Sequence, residues 1–226
     1  MYFHSLTIDL DGTLLDTVPD LAEAARRTLL ELNEPPRSVT EINHFVGRGI
    51  AKLVERCLTR DAPPTAARLA AAVKVFQRHY SEVNGRHTRI YPGVLEGLAA
   101  WRASGIPMGV VTNKAAMFTG PLLERMGLAA YFDCVVSGDT TAYKKPHPEP
   151  LLHVCRQFGT APARHLHIGD SKHDIEAARA AGCAIYCVPY GYNEGEAVDA
   201  ADCDALVSDL LAAYRLALTH PDLETK

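Results

Sequence analysis

Two aspartates, Asp9 and Asp11, end the first apolar run of the chain, in the stretch DLDGT. Alternate side chains of a strand lie on the same face, so the two carboxylates repel each other unless a cation or a proton lies between them. Mg²⁺ prefers oxygen ligands and keeps several waters, so a few protein oxygens and a substrate oxygen hold it. Asp170, in the stretch IGDSKHD, is a third candidate carboxylate. These residues predict a magnesium site that receives an anionic substrate.

Groups that suit a phosphate follow two other apolar runs. Thr112 and Asn113, in VTNK, offer a hydroxyl, an amide and backbone N–H groups as donors. Lys145, in KKPHP, precedes a proline whose ring restricts the lysine to extended backbone, which could fix the direction of its ammonium. Taken alone, Thr-Asn is an ordinary helix start and a lysine is a solvated charge. A positive group is nevertheless needed to offset phosphate charge in such a site.

Asp174 lies four residues after Asp170, one turn further along a helix that starts here. It could hold a metal-bound water, or it could be a first-turn carboxylate that the helix dipole favours, and the sequence leaves both interpretations open. His147 and His173 lie near these stretches. We expect both histidines to be solvated, because the implied metal is hard and prefers oxygen.

The elements that must position these groups alternate along the chain after residue 90. Strands are predicted at residues 5–10, 107–112, 133–137, 165–168 and 183–188. Helices are predicted at residues 94–104, 117–126, 149–158, 174–181 and 210–218. Such alternation implies right-handed crossovers and a parallel sheet covered on both faces. Ligands bind at the carboxyl edge of such a sheet, so the polar stretches should converge there.

The stretch between the first strand and residue 90 has a different pattern. Apolar residues recur at helical spacing at 19–32, and further helices are predicted at 49–58 and 65–83. No convincing strand is predicted from residue 17 to residue 90. The sequence therefore predicts a helical segment that follows the first strand.

Composition and charge exclude several classes of function. The 226 residues are 47% hydrophobic and 22% charged, which is enough for one full core and a smaller appendage. The formal charge is −4 and the basic residues are scattered, so we expect no nucleic-acid partner. No stretch is apolar enough to cross a bilayer and the N-terminus lacks a leader pattern, so we expect a cytoplasmic location without membrane contact.

The cysteines and the end of the chain give little functional information. The six cysteines form no C-x-x-C pair and lie mostly in apolar runs, so we expect them to be reduced and buried. The tail HPDLETK, residues 220–226, is expected to fray.

The stretches DLDGTLLDT, VVTNK, YKKPHPEP and IGDSKHD, in this order, resemble the four signature motifs of the haloacid dehalogenase superfamily, and the match spans the chain. The resemblance implies an α/β fold with a doubly wound, Rossmann-like parallel sheet. Residues 1–16 and 91–226 would form this catalytic core, and residues 17–90 a helical cap domain inserted after the first strand. FVGRGI in the cap and VPYGYNEG after the last motif are similar to those of bacterial phosphoglycolate phosphatases.

The resemblance implies an Mg²⁺-dependent phosphomonoester hydrolase that acts through an aspartyl-phosphate. Asp9 matches the nucleophile. Asp11 matches the general acid and base, and its backbone carbonyl helps to bind Mg²⁺. Asp170 matches the remaining metal carboxylate, so the implied metal set is Asp9, Asp11 and Asp170. The role of Asp174 varies within the superfamily and stays open.

Thr112 and Lys145 match the phosphate-binding residues, with Asn113 beside them. Lys145 and the cation would offset the repulsion between an anionic carboxylate and an anionic phosphate. Gly47 and Gly49 flank Arg48 in a cap loop that can approach a substrate closely. The carboxylate of 2-phosphoglycolate would suit Arg48, although a surface-exposed arginine accounts for the sequence equally well.

Several alternatives stay open at this stage. The substrate could be another small phosphate ester such as a sugar phosphate, or the same scaffold could be a phosphosugar mutase, although Thr13 after DLDG favours a phosphatase. Phosphonate hydrolysis through a Schiff base needs a cap lysine, and the cap has only Lys52 and Lys74, outside any motif for that chemistry. The intact acidic set argues against a binding protein without catalysis. The chain could be a monomer or a homodimer.

Overall fold

The computed structural model describes residues 2–219. The strands of this part of the chain are β1 (Ser5–Ile8), β2 (Leu15–Asp16), β3 (Arg89–Ile90), β4 (Met108–Val111), β5 (Cys134–Val136), β6 (His165–Gly169), β7 (Ala184–Cys187) and β8 (Ala205–Leu206). Its helices are α1 (Val18–Glu31), α2 (Val39–Phe45), α3 (Ile50–Leu58), α4 (Ala66–Val83), α5 (Val94–Ala103), α6 (Ala116–Arg125), α7 (Glu149–Phe158), α8 (Lys172–Ala181) and α9 (Leu210–Leu218).

Six strands form one sheet in the order β5-β4-β1-β6-β7-β8, and every neighbouring pair is parallel. The strand β1 lies in the middle, with Leu6 opposite Met108 of β4 on one side and opposite Leu166 of β6 on the other. All residues of β1, β4 and β6 are buried, as expected where helices cover both faces of a parallel sheet. The predicted α/β fold with a parallel sheet is confirmed.

The main hydrophobic core joins the central strands to α5 and α9. Trp101 of α5 and Leu210 of α9 are completely buried in it. The two helices approach closely because Gly97 has no side chain, and a Cβ at this position would overlap Leu210. This packing holds the sheet that carries the polar stretches.

The helices α1 to α4, called the cap helices below, bury a second set of apolar side chains. Phe76, Tyr80 and Leu53 are buried in this cluster, together with Phe118 and Tyr192 from outside the cap helices. The cap helices therefore pack on one another and also on the part of the chain that carries the sheet. The division into a core and a cap domain at residues 17–90 stays a prediction.

Two details of the helical segment differ from the expectation. The strand β3 lies within it, and Ile90 and Arg89 pair antiparallel with Leu15 and Asp16 of β2. The two strands lie where the chain leaves the sheet region and where it returns to it. The strand β3 was not predicted because two residues are too few to give an alternating pattern. The helix α2 was also not predicted, although Ser38 and Glu41 form a capping box at its start.

Within residues 2–219, no helix combines the length and the apolar character that crossing a membrane requires. All six cysteines are buried and free, as expected from their apolar surroundings. The tail that was expected to fray, residues 220–226, lies outside the described residues.

Candidate active site

The polar stretches converge at the carboxyl edge of the sheet, as predicted. Asp9 follows β1, Thr112 follows β4 and Asp170 follows β6, and β1 lies between the other two strands. The order of the strands changes direction at β1, which is where open α/β sheets bind ligands. An inner cavity at this edge is lined by the predicted residues Asp9, Asp11, Thr112, Asn113, Lys145 and Asp170. The inner cavity has a volume of about 40 Å³.

Asp170 is held in place by the loop that follows β1. Thr13 Oγ1 donates a hydrogen bond to Asp170 Oδ1 at 2.7 Å, and the Tyr192 backbone N–H donates to Oδ2 at 2.8 Å. Gly12 has a positive φ of 95°, and a Cβ there would overlap the Asp170 carboxylate. The glycine of the DLDG stretch is therefore required both by the backbone conformation and by the close approach of Asp170.

Lys145 lies between two buried carboxylates. Its Nζ is 2.9 Å from Asp9 Oδ1 and 2.6 Å from Asp174 Oδ1, and it donates a hydrogen bond to the Val111 carbonyl at 2.8 Å. Burial lowers the pKa of Lys145, but the Asp174 and Asp9 carboxylates outweigh burial and raise it above its ordinary value. The ammonium therefore stays charged beside Asp9.

Asp174 is completely buried and anionic. It accepts hydrogen bonds from Lys145, from His167 Nε2 at 3.0 Å, and from Ser171 Oγ at 2.6 Å. Burial raises its pKa, but Lys145 and His167 outweigh burial and hold the pKa below its usual range. Asp174 thus caps the first turn of α8 and also pairs with the buried lysine, a role that the sequence left open.

A chain of hydrogen bonds continues from Asp174 into the sheet. His167 Nδ1 lies 2.9 Å from Thr7 Oγ1, Thr7 Oγ1 lies 2.8 Å from His165 Nε2, and His165 Nδ1 lies 2.6 Å from Ser5 Oγ. Two neutral histidines that carry their proton on Nε2 satisfy every donor and acceptor in this buried polar chain. Burial lowers the pKa of both histidines, which favours the neutral forms.

Three buried carboxylates could hold a metal ion. Asp9, Asp170 and Asp174 each offer an oxygen, and these oxygens lie within 4.8 Å of one another. Although Lys145 is close to Asp9 Oδ1, the contact lacks hydrogen-bond geometry, and this buried oxygen accepts no hydrogen bond from the described residues. Burial and the neighbouring Asp174 raise the pKa of Asp170 to about 7. Clustered carboxylates with an unpaired oxygen suit a hard cation such as Mg²⁺.

The carboxylate of Asp11 points to a different partner and is not part of this three-carboxylate group. Its oxygens accept hydrogen bonds from Lys114 Nζ at 2.7 and 3.0 Å and from Thr17 Oγ1 at 2.6 Å. Lys114 is buried, and its Nζ lies 5.1 Å from the centre of the Tyr80 ring of α4. This lysine was missed, although it directly follows Asn113 in the VTNK stretch. Lys114 and Thr17 together thus fix the orientation of the Asp11 side chain.

An outer cavity of about 270 Å³ adjoins the inner one. Asn113, Lys145 and His173 line both cavities, while Arg48 lines the outer cavity together with Lys144, Lys172, Pro146 and Glu176. The structure therefore places Arg48 at the outer cavity, while the other predicted side chains line the inner one. Arg48 is paired with Glu194, a residue that sequence reasoning did not single out although it lies in the quoted stretch VPYGYNEG.

His173 differs from the expectation that it would be solvated. Only 4% of it is exposed, and neither ring nitrogen has a hydrogen-bond partner among the described residues. Burial lowers its pKa, so the imidazole is neutral and can offer one donor and one acceptor. The loop at Gly47 lies next to its ring, and a Cβ on Gly47 would be 3.6 Å from His173 Cδ2.

The chain is similar to known proteins over most of its length. A family described as haloacid dehalogenase-like hydrolase matches residues 7–188. The phosphoglycolate phosphatase of Thiobacillus denitrificans is 50% identical over 211 residues, which cover 92% of this chain and 93% of that protein. The Escherichia coli K12 phosphoglycolate phosphatase is 39% identical, and the match covers 97% of this chain and 94% of that protein. A crystal structure of a predicted phosphoglycolate phosphatase from Haemophilus somnus superposes with a TM-score of 0.90 at 31% identity, covering 96% of this chain and 99% of that one.

Proposed function

This chain belongs to the haloacid dehalogenase-like hydrolase family and is a phosphatase, and we propose that it hydrolyses 2-phosphoglycolate to glycolate and phosphate through an aspartyl-phosphate on Asp9, with Mg²⁺ as cofactor. One observation carries this proposal. The inner cavity brings a buried aspartate without a full set of hydrogen bonds next to a charged lysine and two further carboxylates, and a cationic outer cavity adjoins it.

In the first step the Asp9 carboxylate attacks phosphorus, and the bond between phosphorus and the leaving glycolate oxygen breaks. Asp11, in its protonated form, gives its proton to that oxygen. Lys114 and Thr17 fix the direction of the Asp11 carboxylate, as a proton donor requires. The products of this step are glycolate and an aspartyl-phosphate.

In the second step the Asp11 carboxylate takes a proton from water as the water oxygen attacks phosphorus. The bond between phosphorus and the Asp9 oxygen breaks, which restores the Asp9 carboxylate and releases inorganic phosphate. Lys114 Nζ, 2.7 Å from Asp11 Oδ1, holds the Asp11 side chain in the same orientation for this step. One residue therefore serves as acid and then as base, with no net change in the enzyme.

Charge is the main barrier to both steps, because the nucleophile and the phosphate are both anionic. Lys145 supplies one fixed positive charge beside Asp9. Asp9, Asp170 and Asp174 would hold Mg²⁺ through their carboxylates, and by resemblance the backbone carbonyl of Asp11 would join them. Mg²⁺, when bound, neutralises charge on the phosphate and on these carboxylates.

We propose that residues 17–90 act as a cap that excludes bulk water from the inner cavity. Four apolar side chains of this segment line the cavity, namely Leu21, Val46, Ile50 and Leu53. Apolar side chains that cover a polar surface exclude water from it, and electrostatic contacts at the reacting atoms are stronger without water. Thr112 lies on the floor of the inner cavity, where its hydroxyl can donate to a phosphate oxygen. Asn113 Nδ2 donates instead to the carbonyls of Gly47 and Lys145, both at 2.9 Å, so the Asn113 side chain orders the floor and does not donate to phosphate as the sequence suggested.

The outer cavity supports an anionic leaving group. Asn113, Lys145 and His173 line both cavities, so the part of a substrate beyond the phosphoryl group has a path from the inner to the outer cavity. Against one glutamate, Glu176, the outer cavity is lined by four cations, namely Arg48, Lys144, Lys145 and Lys172. A carboxylate such as that of phosphoglycolate is attracted by this excess of positive charge.

A panel of phosphomonoesters tests the proposal. Purified protein is assayed with 2-phosphoglycolate, glucose 6-phosphate and p-nitrophenyl phosphate, with Mg²⁺ and with a chelator. We expect the highest kcat/KM for 2-phosphoglycolate and loss of turnover in the chelator. A sugar phosphate that exceeds phosphoglycolate tenfold in kcat/KM would overturn the substrate, and transfer of phosphate to a sugar instead of water would indicate a mutase.

A further inference from the structure

Glu194 lies in an unusual backbone segment next to the site. The 3-10 turn Asn193–Gly195 follows β7, and φ is 35° at Asn193 and 54° at Glu194. Left-handed backbone is uncommon outside glycine, and for glutamate it is less favourable than for asparagine. Such conformations persist where surrounding contacts impose them, and they are concentrated at functional sites.

The Glu194 carboxylate binds two arginines of the helical segment, one in the loop before α3 and one in α3 itself. It thereby connects this segment to the part of the chain that carries the sheet. Arg48 Nε lies 3.0 Å from Glu194 Oε1 and Arg48 Nη2 lies 3.1 Å from Oε2, which is a bidentate pair. Arg56, in the last turn of α3, donates a further hydrogen bond to Oε1. Lys172 Nζ lies 3.3 Å from Oε2. These four residues are called the Glu194 cluster below.

The charges of the Glu194 cluster do not balance. Three cations face Glu194, and only 10% of its side chain is exposed. Lys172 Nζ also lies 3.9 Å from Oε2 of the exposed Glu196, so three cations meet two carboxylates. Burial raises the pKa of Glu194, but Arg56 and Arg48 outweigh burial and lower it to about 2, so the residue is anionic. The cluster therefore keeps excess positive charge that a second anion could meet.

Arg48 keeps donors for such an anion. A guanidinium has five N–H groups in a fixed plane, and the bidentate pair with Glu194 uses two of them. Arg48 also lines the outer cavity, so the residue that Glu194 holds is the one that the leaving group would meet. Close packing restricts the turn further, because a Cβ at Gly195 would overlap the ring of His44 in α2.

We propose that Glu194 is a positioning residue for substrate discrimination: it holds Arg48 and Arg56 against the sheet-bearing part of the chain and so fixes the Arg48 guanidinium at the outer cavity, where it receives an anionic leaving group. This inference rests on the proposed function, because it assigns the outer cavity to the leaving group of a phosphate ester. Glu194 itself does not touch the reacting atoms. Its loss would leave three cations facing one another and would release Arg48 from the cavity wall.

Steady-state kinetics of Glu194→Gln test the proposal on two substrates. The amide keeps the size of the side chain and removes its charge. We expect the KM for 2-phosphoglycolate to rise about 10-fold with kcat changed much less, because a partly exposed charge pair that orders a binding residue is worth about this factor. The loss on p-nitrophenyl phosphate, whose leaving group has no carboxylate, should be several-fold smaller. Glu194→Asp, which keeps the charge, should recover part of the discrimination.

A double-mutant cycle separates positioning from a general structural role. If Glu194 acts through Arg48, the Arg48→Ala/Glu194→Gln double variant should lose no more kcat/KM on phosphoglycolate than Arg48→Ala alone. Additive losses, or equal losses on both substrates, would overturn the proposal. Glu82→Gln is the matched control, because Glu82 pairs with Arg27 at 3.0 Å within the helical segment and away from both cavities. Its kinetics should match those of the parent.

Hydrogen exchange gives a reading that does not depend on the substrate. In the free protein, a peptide covering residues 44–58 should exchange faster in Glu194→Gln than in the parent, while exchange in the Glu82→Gln control stays at the parent level. Unchanged exchange at residues 44–58 would contradict the holding role of Glu194. If the parent does not hydrolyse phosphoglycolate at all, the proposed substrate fails, and the exchange result still decides whether Glu194 holds Arg48.

Should Glu194→Gln not fold, Arg56→Gln removes the neighbouring contact and is tested in the same way.

Discussion

Cations pair with carboxylates both below the inner cavity and in the Glu194 cluster. The pairs below the inner cavity are buried, whereas the cations of the Glu194 cluster are partly exposed to solvent. Below the inner cavity, 3% of the Lys145 side chain and none of the Asp174 side chain is exposed. In the Glu194 cluster, 44% of the Arg48 side chain and 40% of the Lys172 side chain is exposed. The floor of the inner cavity is therefore shielded from water, whereas the boundary with the helical segment is partly in contact with it.

The surroundings explain why the two regions suit different tasks. In the buried region, water cannot replace a lost partner, so each donor and acceptor must be matched and each carboxylate stays where the chemistry needs it. At the boundary, solvent and salt screen the charges, so individual pairs contribute little to stability, and we expect them to act by orienting side chains such as Arg48. We therefore expect substitutions in the floor to affect all substrates and substitutions at the boundary to affect them unequally.

The largest effect is expected for Asp9→Asn. An amide cannot form the acyl-phosphate, so turnover of every phosphate ester should fall by about 1,000-fold or more. The substitution removes a buried charge without changing size, so the protein should remain folded by circular dichroism. Asp61→Asn, at an exposed position, serves as the control and should keep full activity. Appreciable hydrolysis by folded Asp9→Asn would rule out the mechanism.

The next largest effect is expected for Lys114→Met. The apolar side chain leaves the Asp11 carboxylate without its cation, so kcat should fall by about 100-fold on both phosphoglycolate and p-nitrophenyl phosphate. Removing one partner of a buried pair should also reduce the free energy of unfolding by about 3 kcal/mol. Steady-state assays and urea unfolding measure the two effects. The control is Lys52→Met, because Lys52 pairs with Glu55 on a part-exposed surface. A kcat within threefold of the parent would remove Lys114 from the catalytic machinery.

The sequence was sufficient to predict where three residues on the floor of the inner cavity lie. Asp9, Thr112 and Asp170 each end a buried strand, and a parallel sheet brings the carboxyl ends of such strands to one edge. The apolar pattern of each strand and the topology of the sheet together therefore predict where each of these residues lies. The chemistry proposed for each one follows from its residue type. The role of Asp174 needed the structure, because its partners Lys145 and His167 come from other stretches.

The boundary with the helical segment could not be predicted in the same way. Glu194 and Arg48 are 146 positions apart, and nothing in either local sequence specifies that they pair. Their contact depends on how the cap helices pack on the sheet region, which is a property of the whole chain. Lys114 was missed for a similar reason, since a lysine after a strand is usually solvated and this one is buried against Tyr80. The strand β3 was missed because two residues carry no periodic signal.

Arg48→Ala tests whether the boundary discriminates between substrates. The arginine is partly exposed, so we expect a loss of about 2 kcal/mol in transition-state binding for phosphoglycolate, or about 30-fold in kcat/KM. The loss for p-nitrophenyl phosphate should stay within threefold. Arg78→Ala, at an exposed position paired with Glu31, should change neither value. Equal losses on both substrates would remove Arg48 from leaving-group recognition.

The smallest effect on catalysis is expected for the far end of the buried polar chain. Burial lowers the pKa of His165 from 6.5 to about 3, so the folded protein keeps this histidine neutral while the unfolded chain takes up a proton below about pH 6.5. The unfolded state then binds more protons, and the free energy of unfolding falls as pH drops from about 6.5 towards 3.

His165→Gln cannot take up this proton, so its unfolding free energy should depend less on pH than that of the parent. Between pH 7 and pH 4.5 the parent should lose about 2 to 3 kcal/mol more than the variant, because each pH unit below 6.5 contributes about 1.4 kcal/mol. Urea unfolding at both pH values measures this difference, and kcat at pH 7 should stay within threefold of the parent. His4→Gln, at an exposed position, should follow the parent at both pH values. Parallel losses in the parent and in His165→Gln would show that His165 is not held neutral, and the hydrogen-bond assignment of the buried polar chain would then be wrong.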